Sequence, residues 1–266
     1  MTQIGFIGLG ALGSAMAQRV LAAGYDTVGF NRSTAKATAL ATTGLRVASS
    51  AAEACDADIV FSVLSDEIAV RQVLLESDPF SGQRRAIHVS VSTIGVPLVR
   101  ALAAGHAAAG QSFLSSPVFG RPETVLAGSA LLAVGGDALA IDACRSVLAC
   151  FGRVEVVGPD PGSANAVKMA GNFLMASAVQ SLREAITIAE AAGADRQQFV
   201  DMVTSTLFPV SFYERFGGLI ARRGSNAPAI NPFANSARLV AQTSRELGAA
   251  TPLADTLAEA LSRSLA

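Results

Sequence analysis

The sequence predicts a two-part α/β fold: a doubly wound, mostly parallel sheet over residues 1–160, then an all-α domain over 161–266 joined to it by one long helix. Three observations predict it. Short apolar runs alternate with amphipathic stretches through residue 157, a glycine-rich turn follows the first apolar run, and from Ser163 the pattern is helical without a convincing strand.

The strand candidates are Ile4–Ile7, Thr27–Phe30, Ile59–Val63, Ile87–Val91 and Leu131–Val134, with helical patterns between them, which is the rhythm of βαβ units. The cluster Gly158-Pro159-Asp160-Pro161-Gly162 breaks both periodicities and reads as an interdomain hinge, with Ser163 as N-cap of a helix reaching about Ala192. A second irregular stretch, Arg222 to Pro228, reads as a mobile surface loop. No internal repeat or low-complexity tract is present.

Composition narrows the function classes. Residues are 51% hydrophobic and 15% charged, enough apolar material for a real core, and Ala-rich stretches favour helix. The formal net charge of −1 leaves no surplus of Lys and Arg to neutralise phosphates, so nucleic acid is not expected as the main partner. No apolar run approaches the roughly 18 residues of a membrane span. The start, Met1 to Gly8, has neither a basic region nor a cleavage site, so the expected location is the cytoplasm. Cys55, Cys144 and Cys150 lack disulfide or zinc spacing and read as reduced core thiols, and no metal site is expected. His88, in a strand, and His106, in a helix, read as structural; Phe208, Phe212 and Tyr213 read as core, with Tyr213 a proton donor if it faces a cleft.

The first strand runs into Gly8-Leu9-Gly10-Ala11-Leu12-Gly13 and then a helical pattern, the strand-turn-helix setting of a dinucleotide site of the Rossmann type. Gly8 permits the tight turn, Gly10 lets backbone approach a pyrophosphate, and Gly13 lets helix pack on strand. The helix N-terminus at Ala11 and Leu12 supplies amides and a positive dipole end. Where an NAD enzyme places a carboxylate on the ribose, this chain reads Asn31-Arg32-Ser33, with Lys36 a turn later. A 2′-phosphate would meet two cations and a hydroxyl there, so NADP(H) is expected over NAD(H). The alternative is that Arg32 stacks on the adenine face and tolerates either cofactor.

On the long helix, Asn165, Lys168 and Asn172 are offset by 0, 3 and 7 and share one face, which is expected to look into an interdomain cleft. A lysine among Ala, Val, Met and Phe can lose pKa by desolvation and move a proton to or from a carbonyl oxygen. The residues alone leave that role open against a structural lysine reaching backbone carbonyls.

Gly8-x-Gly10-x-x-Gly13, Ser92-Thr93, Ser116-Pro117-Val118-Phe119-Gly120 and Gly158…Gly162…Lys168…Asn172 occur in the order found in the β-hydroxyacid dehydrogenase family, which includes 3-hydroxyisobutyrate dehydrogenases and glyoxylate reductases. The resemblance covers nearly the whole chain. It implies that Lys168 is the acid/base of hydride transfer, that Asn172 helps place the substrate, that Ser92 or Thr93 contacts substrate or nicotinamide, and that Leu64-Ser65 lies along the cofactor. Two departures stand out. The family's Asp-Ala-Pro-Val-Ser-Gly-Gly reads here Ser115 to Arg121, with Phe119 in place of the Ser that helps hold a carboxylate. Backbone amides at Phe119 and Gly120 and the charge of Arg121 remain for an anion, but Phe119 points to a less polar substrate beside Val118. The family's Lys-Asp-Leu near the C-terminus reads Asn235-Ser236-Ala237, so its cofactor contact is lost or passes to a group such as Arg238. The expectation is an NADPH-dependent oxidoreductase acting on a small carbonyl or hydroxy compound, dimeric or a higher homo-oligomer through its helical domain. The alternatives are an imine reductase, against which the retained Lys168 speaks, and a non-catalytic dinucleotide sensor.

Overall fold

In the computed structural model, residues 2–82, 86–223 and 234–263 are described. They form two compact units, Met1–Lys168 and Met169–Ala266.

The first unit is a nine-stranded sheet. β1 (Gln3–Ile7) lies between β2 (Asp26–Phe30) and β4 (Ile59–Ser62); β3 (Arg46–Val47) pairs outside β2, and β5 (Ile87–Ser90) and β6 (Ser112–Ser115) follow β4, all parallel. β6 and the two-residue β7 (Val118–Phe119) both pair antiparallel with β8 (Ala130–Gly136), Ser115 opposite Gly135 and Phe119 opposite Leu131. β9 (Gly152–Gly158) runs parallel to β8. Four of these strands were absent from the sequence reading: β3, β6, β7 and β9. β3 is too short for a period, and β6 and β7 are interrupted at Pro117, which cannot donate to a ladder. β9 carries Arg153 and Glu155 in place of an apolar run.

Both sheet faces are covered, which is why the central strands are apolar throughout. Ile4, Phe6 and Phe61 join one core with Met16 of α1 (Ala11–Ala22) and Leu148 of α7 (Ala138–Ala149). Ile7, Val28 and Val60 join the other with Leu98 and Leu102 of α5 (Val96–Ala108).

His88 and His106 are structural, as expected. His88 Nδ1 lies 2.8 Å from His106 Nε2, His88 Nε2 lies 2.8 Å from Ser62 Oγ, and His106 Nδ1 lies 2.7 Å from Gln111 Oε1. Because Gln111 Nε2 donates to the Phe80 carbonyl, Oε1 must accept from His106 Nδ1–H. His106 Nε2 then accepts from His88 Nδ1–H, and His88 Nε2 accepts from the Ser62 hydroxyl. This assignment is that of two neutral rings, the state favoured by burial, which holds both pKa values below the ordinary histidine range. Burial also pushes the Cys55 and Cys144 thiols up to about 12, leaving them inert.

The breaker cluster contracts to a two-residue turn. β9 ends at Gly158 and α8 (Pro161–Ala191) begins at Pro161, where a missing N–H costs nothing. Asp160, not Ser163, is the cap: its Oδ1 accepts from the Gly162 amide at 2.8 Å, while Oδ2 accepts from Arg100 Nη2 of α5 at 2.6 Å. The first two turns of α8 pack with the sheet domain, so by contact the units divide between Lys168 and Met169, inside the helix that follows Gly158–Gly162.

The second unit contains the rest of α8 with α9 (Arg196–Thr206), α10 (Ser211–Arg223), α11 (Ala234–Glu246) and α12 (Pro252–Arg263). Leu182 and Ile186 pack with Val200 and Ala221, and Ala176 packs with Ala237, Leu257 and Leu261. Phe208 is not core; it is 45% exposed and stacks on Tyr213 at 4.6 Å. Arg222 and Arg223 complete α10, and 224–228 of the expected loop lie outside the described residues. Among the described residues no helix is long and apolar enough to cross a membrane.

Candidate active site

The glycine turn has the geometry its spacing requires. Gly8 has φ +97°, which favours glycine, and its amide donates to the Phe30 carbonyl at 2.9 Å, joining the ends of β1 and β2. A Cβ on Gly13 would collide with the Gly8 carbonyl oxygen, so α1 reaches its place only because residue 13 is glycine. At Gly10 the space is open, nothing lying within 4 Å of an added Cβ, and α1 begins there with no side-chain cap. An uncapped helix end beside an open glycine is what a pyrophosphate needs: free amide donors and room for its oxygens.

A cleft of about 250 Å³ lies at this turn. Gly8 and Gly10 form one side, Asn31, Arg32 and Lys36 another, and Leu64 and Ser65 a third, so these sequence candidates are brought together. Phe30, Ala69, Gln72 and Val73 also line it and were missed. Gln72 and Val73 lie on a π-helical segment, Arg71–Glu76, whose five-residue bonding has no sequence signature comparable with helical periodicity. Arg32 and Lys36 are exposed. Ser65 donates its hydroxyl to Asp66 at 2.7 Å, and Asp66 caps the next helix through the Ala69 amide at 2.8 Å. The Ala69 amide, and after it the Ser65 hydroxyl, holds the Asp66 carboxyl below the usual range, with a smaller contribution from Arg32.

Five candidates differ from their expected roles or positions. Asn31 Oδ1 accepts from the Leu9 amide at 2.9 Å and its Nδ2 donates to the Ser33 carbonyl at 3.0 Å, so it braces the two loops, besides lining the cleft. Leu9 is fully buried and Leu12 packs against the core, so these side chains serve packing and only their backbone remains for a ligand. Ser33 and Thr93 do not line the cleft.

A chain of contacts leads from the cleft to the lysine. The Leu64 amide donates to Ser92 Oγ at 3.0 Å, and the Ile94 amide, two residues on, donates to Asn165 Oδ1 at 3.0 Å. Asn165 Nδ2 donates to Ser115 Oγ at 2.7 Å at the end of β6. Asn165 is fully buried and both ends of its amide are engaged, so it pins α8 to the sheet and does not face a cleft as its spacing suggested.

One turn further, Lys168 Nζ lies 4.3 Å from the centroid of the Phe119 ring. No carboxylate among the described residues forms an ion pair with it, and burial alone lowers its pKa to about 8. Phe119 is half-buried and Val118 buried. Arg121 is exposed, 3.8 Å from Glu123, and its amide donates to Thr124 Oγ1 at 2.9 Å in the start of the next helix. In the second unit, Asn172 Nδ2 donates to Ser236 Oγ at 2.9 Å. The side chain of Asn235 lies outside the described residues, and Arg238 lines a separate cleft between α11 and α12.

Residues 3–171 match the family model for the NAD-binding domain of 6-phosphogluconate dehydrogenase, and residues 162–266 match that for the NAD-binding domain of NADP-dependent 3-hydroxyisobutyrate dehydrogenase. The chain is 34% identical over 225 residues to an uncharacterised oxidoreductase of Bacillus subtilis, covering 83% of this chain and 78% of that one. It is 29% identical to a probable mitochondrial 3-hydroxyisobutyrate dehydrogenase-like protein of Arabidopsis thaliana, covering 85% and 72%. Among solved structures, the 3-hydroxyisobutyrate dehydrogenase of Mycobacterium tuberculosis with L-serine aligns over 99% of this chain and 93% of that one, with TM-score 0.83 and 25% identity. An imine reductase from Myxococcus stipitatus in complex with NADP+ shares the fold, with TM-score 0.72 and 22% identity over 100% and 94% of the two chains. With its dinucleotide turn and long helix in the family's order, the chain belongs to the β-hydroxyacid dehydrogenase family of NAD(P)-dependent oxidoreductases.

Proposed function

We propose that this protein uses NADP(H) to interconvert a small carbonyl compound and its alcohol, with Lys168 as the acid/base. The observation that carries the reading is Lys168 itself: a half-buried lysine one turn after Asn165, which two hydrogen bonds pin to the sheet domain, with no carboxylate partner among the described residues and a pKa lowered by burial to about 8. An ammonium of that acidity gives up its proton far more readily than an exposed lysine and is still mostly charged at neutral pH.

When bound, the nicotinamide supplies the hydride for reduction or accepts it in oxidation. In reduction, Lys168 gives one proton to the carbonyl oxygen, so that one carbonyl, one NADPH and one proton yield one alcohol and NADP+. In the reverse direction neutral Lys168 takes the hydroxyl proton. Asn172, four residues on along the same helix, is assigned to orient the reacting oxygen. Ser92 holds the cofactor loop through Leu64 and has its own hydroxyl proton to offer. Arg32 and Lys36, which line the cleft, would hold a 2′-phosphate, which would favour NADP(H) over NAD(H) by charge.

Self-association belongs to the same reading, because the second unit leaves Leu174, Ile188, Met202 and Leu207 exposed. Sedimentation velocity tests it, a monomer at micromolar concentration counting against it. The enzymatic reading is tested by fluorescence titration with NADPH and NADH, followed by a panel of aldehydes, keto acids and cyclic imines. Selective NADPH binding with oxidation by an aldehyde or ketone supports it. Turnover of imines alone favours an imine reductase, and binding without turnover favours a sensor.

A further inference from the structure

Phe119 closes the short strand β7, paired with Leu131, so its backbone is fixed by the sheet. The next residue leaves no slack, since a Cβ on Gly120 would collide with Thr124 Oγ1. The ring therefore stands beside Lys168 as part of the sheet edge, with the ammonium 4.3 Å from its centroid. Such a ring presents its negative face to the cation. A carboxylate brought to the same ammonium would have to displace the ring or lie against that negative face, losing water without a compensating donor. The strand end offers no substitute: the position carries no hydroxyl, and Arg121 is exposed beside Glu123.

We propose that Phe119 is the specificity-determining residue of this site: its ring fills the place beside Lys168 that an anionic group would need, so the substrate is an uncharged aldehyde or ketone with an apolar flank. This rests on Lys168 being the acid/base of the proposed reaction. It departs from a hydroxyacid substrate and assigns the ring a second task, holding the ammonium toward the reacting oxygen. Burial is the sole cause of the depressed Lys168 pKa, no charged group contributing, so the residue filling this space also governs the proton.

The test compares butyraldehyde with succinate semialdehyde, which has the same chain length but ends in a carboxylate, as NADPH-dependent substrates of wild type, Phe119→Leu and Phe119→Ser. Wild type is expected to favour butyraldehyde in kcat/KM by at least about tenfold. Phe119→Leu, which keeps the apolar bulk, retains the preference, and Phe119→Ser reduces it by about tenfold or more. NADPH affinity within about twofold of wild type reports a folded variant. The cofactor-free readout is an NMR titration of the Lys168 side chain. Losing the ring's cation–π attraction in Phe119→Leu lowers the pKa by about half a pH unit, whereas water admitted by Phe119→Ser raises it toward the ordinary lysine value. A wild-type preference for succinate semialdehyde, a ratio unmoved by Phe119→Ser, or the same direction of pKa change in both variants overturns this proposal and leaves the acid/base reading standing. Failure to turn over any carbonyl in the broader panel overturns both.

Discussion

Replacing Asn165 with alanine separates holding helix α8 from acting on the substrate. The amide makes two bonds, accepting from Ile94 N–H and donating to Ser115 Oγ, and Asn165, Ile94 and Ser115 are all fully buried. Alanine strands the Ile94 amide without a partner, at a cost of about 1–3 kcal/mol. Ser115 loses a donor to an oxygen that can turn its own proton elsewhere, adding about 0.5–1 kcal/mol. A total of about 1.5–4 kcal/mol in a unit of this size corresponds to a drop in Tm of roughly 3–16 °C. Activity should fall as well, chiefly in kcat, because Ile94 lies two residues after Ser92 along the loop and Lys168 follows Asn165 by one turn. The assay is calorimetry together with steady-state kinetics on Asn165→Ala, Ser115→Ala and the double variant. The single losses should exceed additivity by about 0.5–1.5 kcal/mol, since removing either partner already breaks their shared bond. An Asn165→Ala protein that keeps the wild-type Tm but has a raised KM would refute this reasoning and return Asn165 to the substrate.

Lys168→Met should lower kcat by about 10²–10⁴-fold while changing the NADPH Kd by less than about threefold, and equal losses in rate and binding would count against the acid/base role. With a pKa of about 8, Lys168 acts as acid below that pH and base above it, so the reductive rate should decline, and the oxidative rate rise, as pH passes through about 8. A flat profile from pH 7 to 9.5 in both directions would contradict it. Arg32→Ala should weaken NADPH binding about tenfold, equivalent to about 1.4 kcal/mol, with little effect on NADH, as read by fluorescence titration. For His88 and His106, burial lowers the folded pKa below the ordinary 6.5, so the unfolded chain takes protons first. Their contribution is full above pH 6.5 and declines as pH falls below it, before the carboxylates Asp66 and Asp160 titrate; a denaturation midpoint constant from pH 7 to 5 would disprove this.

What was legible in the sequence was whatever repeats along it. Ile4, Phe6 and Ile7 announce a strand covered on both faces, and the glycines at 8, 10 and 13 announce its turn, because an apolar period and a φ +97° position each leave a mark on residue type. The 31-residue helix after Pro161 was legible for the same reason, to within a residue of its end. β6 and β7 were not, because Pro117 splits them and their partner β8 runs antiparallel, a pairing set by contacts 12 to 22 residues away in sequence. Asp160 was hidden by its own neighbourhood: among several breakers, only the observed bond to Gly162 distinguishes the cap from Ser163.

The site divides along the same line, and the division has a physical cause. Spacing placed Asn165, Lys168 and Asn172 on one helical face, but a helical face does not say what it meets. Asn165 meets Ile94 and Ser115, 71 and 50 residues away in sequence, and both halves of its amide are consumed there. Lys168, three residues later, meets an aromatic face and, among the described residues, no carboxylate in ion-pair reach, which leaves its proton free for the proposed transfer. The difference between a brace and a proposed acid therefore lies in the partners supplied by β6 and β7, strands that leave no periodic mark in the sequence. The Phe119 substitution acts through that same concealed edge: residue type alone marks a lost hydroxyl, whereas the strand pairing puts the ring beside the one ammonium proposed to carry the reacting proton.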